Sequence, residues 1–199
     1  MTETCSDLMT DLQSCTICVD RFAKTHSAHT PRPVTWFNPA ARILIAGQAP
    51  GMRVHKSGRP FSDPSGDRLR DWMGVDETVF YDQNRIAIVP MAFCFPGYNA
   101  AGSDLAPPKI CAQTWRDRVL AQLVSIDLVL LIGGYAQKHH LKKAASGGVT
   151  RTVEAWRDHA PAIFPLPHPS WRNTGWLKKH PWFETELLPV LRQNINDRL

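Results

Sequence analysis

The chain has 199 residues, 43% of them hydrophobic, a length at which roughly two-thirds of the unfolded surface is buried on folding; this excludes a multidomain machine and predicts one domain over 1–199. Charged residues make up 21%, and Gly and Pro number 12 and 16, which excludes a charge-rich disordered chain and a low-complexity polymer. A net charge of +5 favours a polyanionic partner, although many enzymes without one carry as much.

No apolar run approaches the roughly 20 residues of a membrane helix, and Met1-Thr2-Glu3-Thr4 lacks the basic-then-apolar order of a signal peptide. No membrane association and a cytoplasmic location are therefore expected. In chain order, apolar β-branched runs predict buried strands at 42–46, 85–89, 127–132 and 162–166. Between and after them, helical spacing runs over 67–73, 109–124, 150–159 and 182–195, with Asp67 able to cap or open the first. The alternation predicts an α/β fold, a three-layer αβα sandwich around a central four-stranded parallel sheet.

Ligands in such folds bind beyond the carboxyl ends of the strands. After the first strand comes Gly47-Gln48-Ala49-Pro50-Gly51, which is neither a Walker loop nor a dinucleotide fingerprint and on its own also reads as a plain turn. Next, Gly58-Arg59-Pro60-Phe61-Ser62-Asp63-Pro64-Ser65-Gly66 gathers an aromatic, a carboxylate and small residues, each open to an ordinary core or turn role. After the last strand, Pro167-His168-Pro169-Ser170-Trp171-Arg172-Asn173 mounts a histidine between two prolines, which stiffens its backbone on both sides.

Cations gather late, at Lys138, His139, His140, Lys142, Lys143, Arg172, Lys178, Lys179 and His180, as a solvated helical face or as contacts to a polyanion. Of five cysteines, Cys15 and Cys18 lie one helical turn apart and Cys94 with Cys111 brackets a Pro/Gly-rich loop, so four sulfurs are able to converge on one cluster or ion. The alternative is that they are small buried hydrophobes; Cys5 is left over.

Together these motifs resemble the uracil-DNA glycosylase superfamily, particularly its iron–sulfur families four and five, from about Cys15 to the C-terminal helix. Gly47 to Gly51 matches the first motif, Gly-Glu-Ala-Pro-Gly, at four of five places, Gly58-Arg59-Pro60-Phe61 with Ser65-Gly66 follows the family pattern, and His168-Pro169-Ser170 with Arg172-Asn173 matches the second motif. The resemblance implies that Cys15, Cys18, Cys94 and Cys111 hold a structural [4Fe–4S] cluster, with zinc the competing occupant. It implies that Phe61 stacks on a flipped base, that Gly47, Gln48 and Ala49 bind its carbonyls, and that His168 donates to the departing anion. Pro50, Gly51, Ser65, Ser170, Trp171, Arg172 and Asn173 would contact DNA.

Gln48 and Ala49 stand where other families carry an acid, as in family five, which relies on an Asp shortly after the stacking Phe. Asp63, one residue nearer to Phe61 than that pattern, takes the water-activating role. Pro90 falls where family four has a base-reading Asn, which broadens the expected substrates from uracil to other deaminated bases. The implied function is a monomeric, monofunctional glycosylase leaving an abasic site, since neither motif carries a lysine. The alternatives are a damaged- or abasic-DNA-binding protein of the same fold and, from another class, an iron–sulfur electron carrier or nucleotide-binding protein.

Overall fold

In a computed structural model, described over residues 3–199, four strands form one parallel sheet: β1 Ile43–Ala46, β2 Ile86–Ile88, β3 Leu128–Ile132 and β4 Ile163–Leu166, in the order β2-β1-β3-β4. Ile43 stands opposite both Ile86 and Leu128, and Val129 opposite Ile163. Helices α1 Cys5–Gln13 and α2 Val19–Ala23 precede the sheet. Then α3 Met52–Ser57, α4 Pro64–Met73 and α5 Glu77–Phe80 join β1 to β2, and α6 Lys109–Cys111 and α7 Asp117–Gln122 join β2 to β3. Between β3 and β4 lie α8 Gly133–Leu141 and α9 Gly148–Glu154, and α10 Thr174–Lys179 and α11 Leu188–Asn196 close the chain.

Alternate side chains of each strand enter different cores, which is why the strands read as unbroken apolar runs. Ile43, Ile45 and Ile88 pack with Trp72 of α4, Val153 of α9 and Leu191 of α11 on one face. On the other, Leu44 and Val89 meet Leu8 and Leu12 of α1 and Val119 of α7, while Ala46 and Leu131 meet Ala136 of α8. The result is the αβα sandwich expected from the sequence.

Several expectations are corrected. The helix expected from Asp67 begins at Pro64, because Asp63 is its N-cap: Oδ1 accepts the N–H of Ser65 at 3.1 Å and of Gly66 at 3.3 Å, while Pro64 occupies a first-turn position that needs no N–H. The helix expected over 109–124 is α6 and α7 joined by a π-helical turn, Ala112–Arg116, and α11 is likewise entered through a π-helical turn, Phe183–Leu187. The segment 150–159 is α9 followed by a 3₁₀ turn, Trp156–Asp158. His140 does not belong to a cationic face: its Nε2 lies 2.5 Å from Arg116 Nη2, and burial together with that guanidinium pushes its pKa down to about 4. Among the described residues no helix is long and apolar enough to cross a membrane.

Candidate active site

The loop after β1 is stitched to the end of β2. Met91 and Ala92 donate their N–H groups to the carbonyls of Gly47 and Gln48 at 2.9 and 3.1 Å, which commits those carbonyls to the protein, and the loop lines the cavity beside it.

Phe61 has a left-handed backbone, φ 52°, which costs a bulky residue of order 1–3 kcal/mol and persists only where the surroundings enforce it. They do so in two ways. The Tyr81 hydroxyl donates toward the carbonyls of Pro60 and Phe61 at 2.9 and 3.1 Å, and Tyr81 is itself covered by the Arg59 guanidinium 3.6 Å from its ring centre. Gly66 allows the Phe61 carbonyl to lie against the first turn of α4, for a Cβ there would stand 1.8 Å from that oxygen. The Phe61 ring meets Phe80 edge-on at 6.0 Å and lines the cavity.

The β4 loop presents His168 from the other side. The Ser170 N–H donates to His168 Nδ1 at 3.1 Å, so the neutral ring carries its proton on Nε2. Burial pushes the imidazole pKa down, and the Asp63 carboxylate only partly opposes that, so the ring is neutral at pH 7. The loop is braced by the Asn173 amide, which donates to the His168 carbonyl at 2.7 Å, and by Arg68 of α4, which donates to the Ser170 carbonyl at 3.0 Å.

These parts meet in one cavity of about 120 Å³, several times the 10–15 Å³ or so that one water needs. Gly47, Gln48, Ala49, Pro50 and Gly51 line it from β1; Phe61, Asp63 and Ser65 from the following segment; Pro90 from β2; and His168 from β4. The family model described as the Uracil DNA glycosylase superfamily matches residues 34–192. The chain belongs to the uracil-DNA glycosylase superfamily. Membership implies a DNA glycosylase, a hydrolase of N-glycosidic bonds that acts on DNA in repair.

For a glycosylase, the cavity needs a mouth that fits a strand. A groove of about 560 Å³ adjoins it, lined by Arg53, Ser65, Ser170, Trp171 and Arg172, with the Trp171 side chain standing out, 73% exposed. Asn173 is set apart from this groove, lining a separate one with Lys138 and Trp176, and its amide is engaged within its own loop. Asp104 was missed by sequence reasoning: it borders both cavity and mouth, held by the short bridge between Tyr98 and Asp104. Arg68 was missed as well, since a helical arginine just beyond a motif carries no signal of its own. Gly66→Ala is expected to unseat Phe61, lowering Tm by a loss of about 1–3 kcal/mol and lowering base excision by more than tenfold; a melting curve with a single-turnover assay checks both.

The cysteines form a second pocket on the far side of the β2 loop. Cys15, Cys18, Cys94 and Cys111 all line it, and the rest of its wall is apolar, with Phe22, Pro31, Ile110 and Trp115 among the contributors. All four are free thiols. The Phe93 N–H donates to Cys111 Sγ at 3.4 Å, and the Arg32 backbone donates to Cys94. Burial pushes the Cys94 and Cys111 thiols up to about 12 and about 11, so without a cation among them they stay protonated. Among the described residues no three His, Cys, Asp or Glu side chains are drawn together as for a single metal ion. The donor set, four sulfurs in an apolar wall with N–H groups on two of them, suits an iron–sulfur cluster or a single zinc ion alike. Cys15 and Cys18 precede the residues that the family model matches. Cys5 packs beside α7 and does not line the pocket.

Proposed function

We propose that this protein is a monofunctional DNA glycosylase, nearest to the iron–sulfur families four and five, that everts uracil and other deaminated bases and hydrolyses the N-glycosidic bond. The observation that carries the reading is the single cavity shared by Phe61, the 47–49 loop and His168, residues more than a hundred positions apart at the extremes.

Extruding a nucleotide costs a few kcal/mol, least for a mispaired base, and this must be recovered in the pocket. Phe61, held in one orientation by Gly66 and Tyr81, offers a stacking face at low entropic cost. As the bond breaks, its electron pair goes to the base and positive charge grows on the sugar. The His168 Nε2–H, fixed by the Ser170 N–H on the opposite nitrogen, donates to the carbonyl oxygen where negative charge collects. Asp63 spends Oδ1 on the α4 cap, which leaves Oδ2 to accept a proton from the water that attacks C1′ and to offset the sugar's charge. The departing base takes its proton from solvent. Ser65 and Ser170 contact flanking phosphates, and Trp171 fills the vacated stack.

Cys15, Cys18, Cys94 and Cys111 would hold a [4Fe–4S] cluster, which ties the segment before β1 to the chain after β2 and takes no part in the reaction. A broad visible absorbance at about 400 nm with about four irons per chain, lost together with folding in Cys94→Ser, is the expected signature. Colourless protein containing zinc would reject it.

A second reading, a damage-binding protein with little turnover, is favoured by Gln48 and Ala49 standing where a carboxylate is absent and by the capping duty of Asp63. Oligonucleotides containing uracil, hypoxanthine or xanthine, incubated with the protein and then cleaved with alkali, separate the two. Alkali-labile cuts at the lesion support the enzyme. Gel retention of all three with no cuts supports the binder.

A further inference from the structure

Where the base cavity meets β2, the wall offers a base nothing to bond. Pro90 has no N–H, and the next two N–H groups, of Met91 and Ala92, are spent on the 47–48 carbonyls. The carbonyls of Val89 and Pro90 are both taken by one guanidinium: Arg116 Nη1 donates to them at 2.9 and 3.0 Å.

Arg116 is fully buried, at 0% exposure. Its partners are these two carbonyls and, through Nη2, the neutral ring of His140 at 2.5 Å; its Nε has no partner, and no carboxylate forms an ion pair with it among the described residues. A buried cation without an ionic partner is costly, and a well-packed apolar side chain often serves stability as well or better. Folding alone therefore gives a poor account of this arginine. It closes the π-helical turn Ala112–Arg116, a local irregularity of a kind that recurs at functional sites.

We propose that Arg116 is a positioning residue that sets base selectivity through the wall at Pro90. It does not line the cavity itself. By gathering both carbonyls on its own side, it leaves bare pyrrolidine facing the base, so selection falls to the 47–49 loop and to shape. Without it, two carbonyl acceptors lose their donor and are free to turn toward the N–H groups of a bound base. The proposal rests on reading this cavity as the base pocket.

The test is the ratio of single-turnover excision rates on uracil and hypoxanthine oligonucleotides, measured for wild type, Arg116→Met and Arg116→Lys, with folding followed by circular dichroism. A shortage of folded protein lowers both rates alike and leaves their ratio unchanged. In Arg116→Met the ratio is expected to move by about fivefold or more, the worth of roughly one neutral hydrogen bond, and Arg116→Lys to bring it back toward wild type. If Arg116→Met does not fold, His140→Leu, which removes one acceptor at a half-buried position, is expected to shift the ratio in a smaller degree, and His140→Gln to restore it. A wild-type ratio in folded Arg116→Met, or in His140→Leu should the first variant fail, overturns the proposal. Wild-type protein that excises neither base overturns the base-pocket reading instead.

Discussion

His168→Ala is expected to lower single-turnover excision by about 10²–10³, the usual cost of removing one preorganised donor to a developing anion. The loss should appear in the rate and scarcely in DNA affinity, because the ring donates where charge accumulates and the phosphate contacts lie in the mouth groove. Folding should survive, since the loop keeps the Asn173 and Arg68 bonds to its carbonyls. The acid side of the pH profile carries the same claim. Because burial holds the imidazole below its ordinary pKa of 6.5, the neutral donor persists at neutral pH and somewhat into the acid range. Protonation at lower pH takes the Nδ1 lone pair from the Ser170 N–H and unseats the ring, so the rate falls as pH drops below that ordinary value and not before it. His168→Gln, which has a donor but not the same anchoring, should fall between the two.

Asp63→Asn is expected to reduce excision by about 10²-fold or more, the scale of a lost general base. Asparagine is as good an N-cap as aspartate, so this substitution keeps the α4 start and removes only the charge. Asp63→Ala removes both and should add a loss of about 1 kcal/mol in stability, read as a lower Tm. If the two variants lose equal activity while only the alanine loses stability, the carboxylate's catalytic and capping duties are separate. Asp104, the other carboxylate at the cavity, provides the control: burial raises its pKa, with Arg172 opposing, and it stands on a loop whose base, Tyr98, is tied to the His26 N–H and the Ser27 hydroxyl. An Asp104→Asn loss larger than that of Asp63→Asn would move the water-activating role to Asp104.

The sheet was legible because strands buried on both faces leave no room for polar residues, and each of the four runs stands within a residue of its expected ends. The site was legible because its motifs occupy the two loops that a parallel sheet sends to one edge. Helix ends were harder. Asp63-Pro64 carried the cap-then-proline signature, yet Asp67 competed for it, and only the Gly66 contact with Phe61 shows why the turn must come earlier. Helix α8 opens on Gly133-Gly134, a pair that reads as a break, and α3 is too short for a period to emerge. Arg116 was beyond reach, because an arginine in a helical run reads as surface until the strand carbonyls that hold it are located.

The most direct measurement is a crystal structure of the protein with a duplex containing 2′-fluoro-2′-deoxyuridine, whose fluorine disfavours positive charge on the sugar and slows cleavage. The account predicts the uracil turned out of the helix, its face on the Phe61 ring and a carbonyl oxygen within hydrogen-bond distance of His168 Nε2. A uracil still stacked in the duplex, or held anywhere other than between these two side chains, would contradict it.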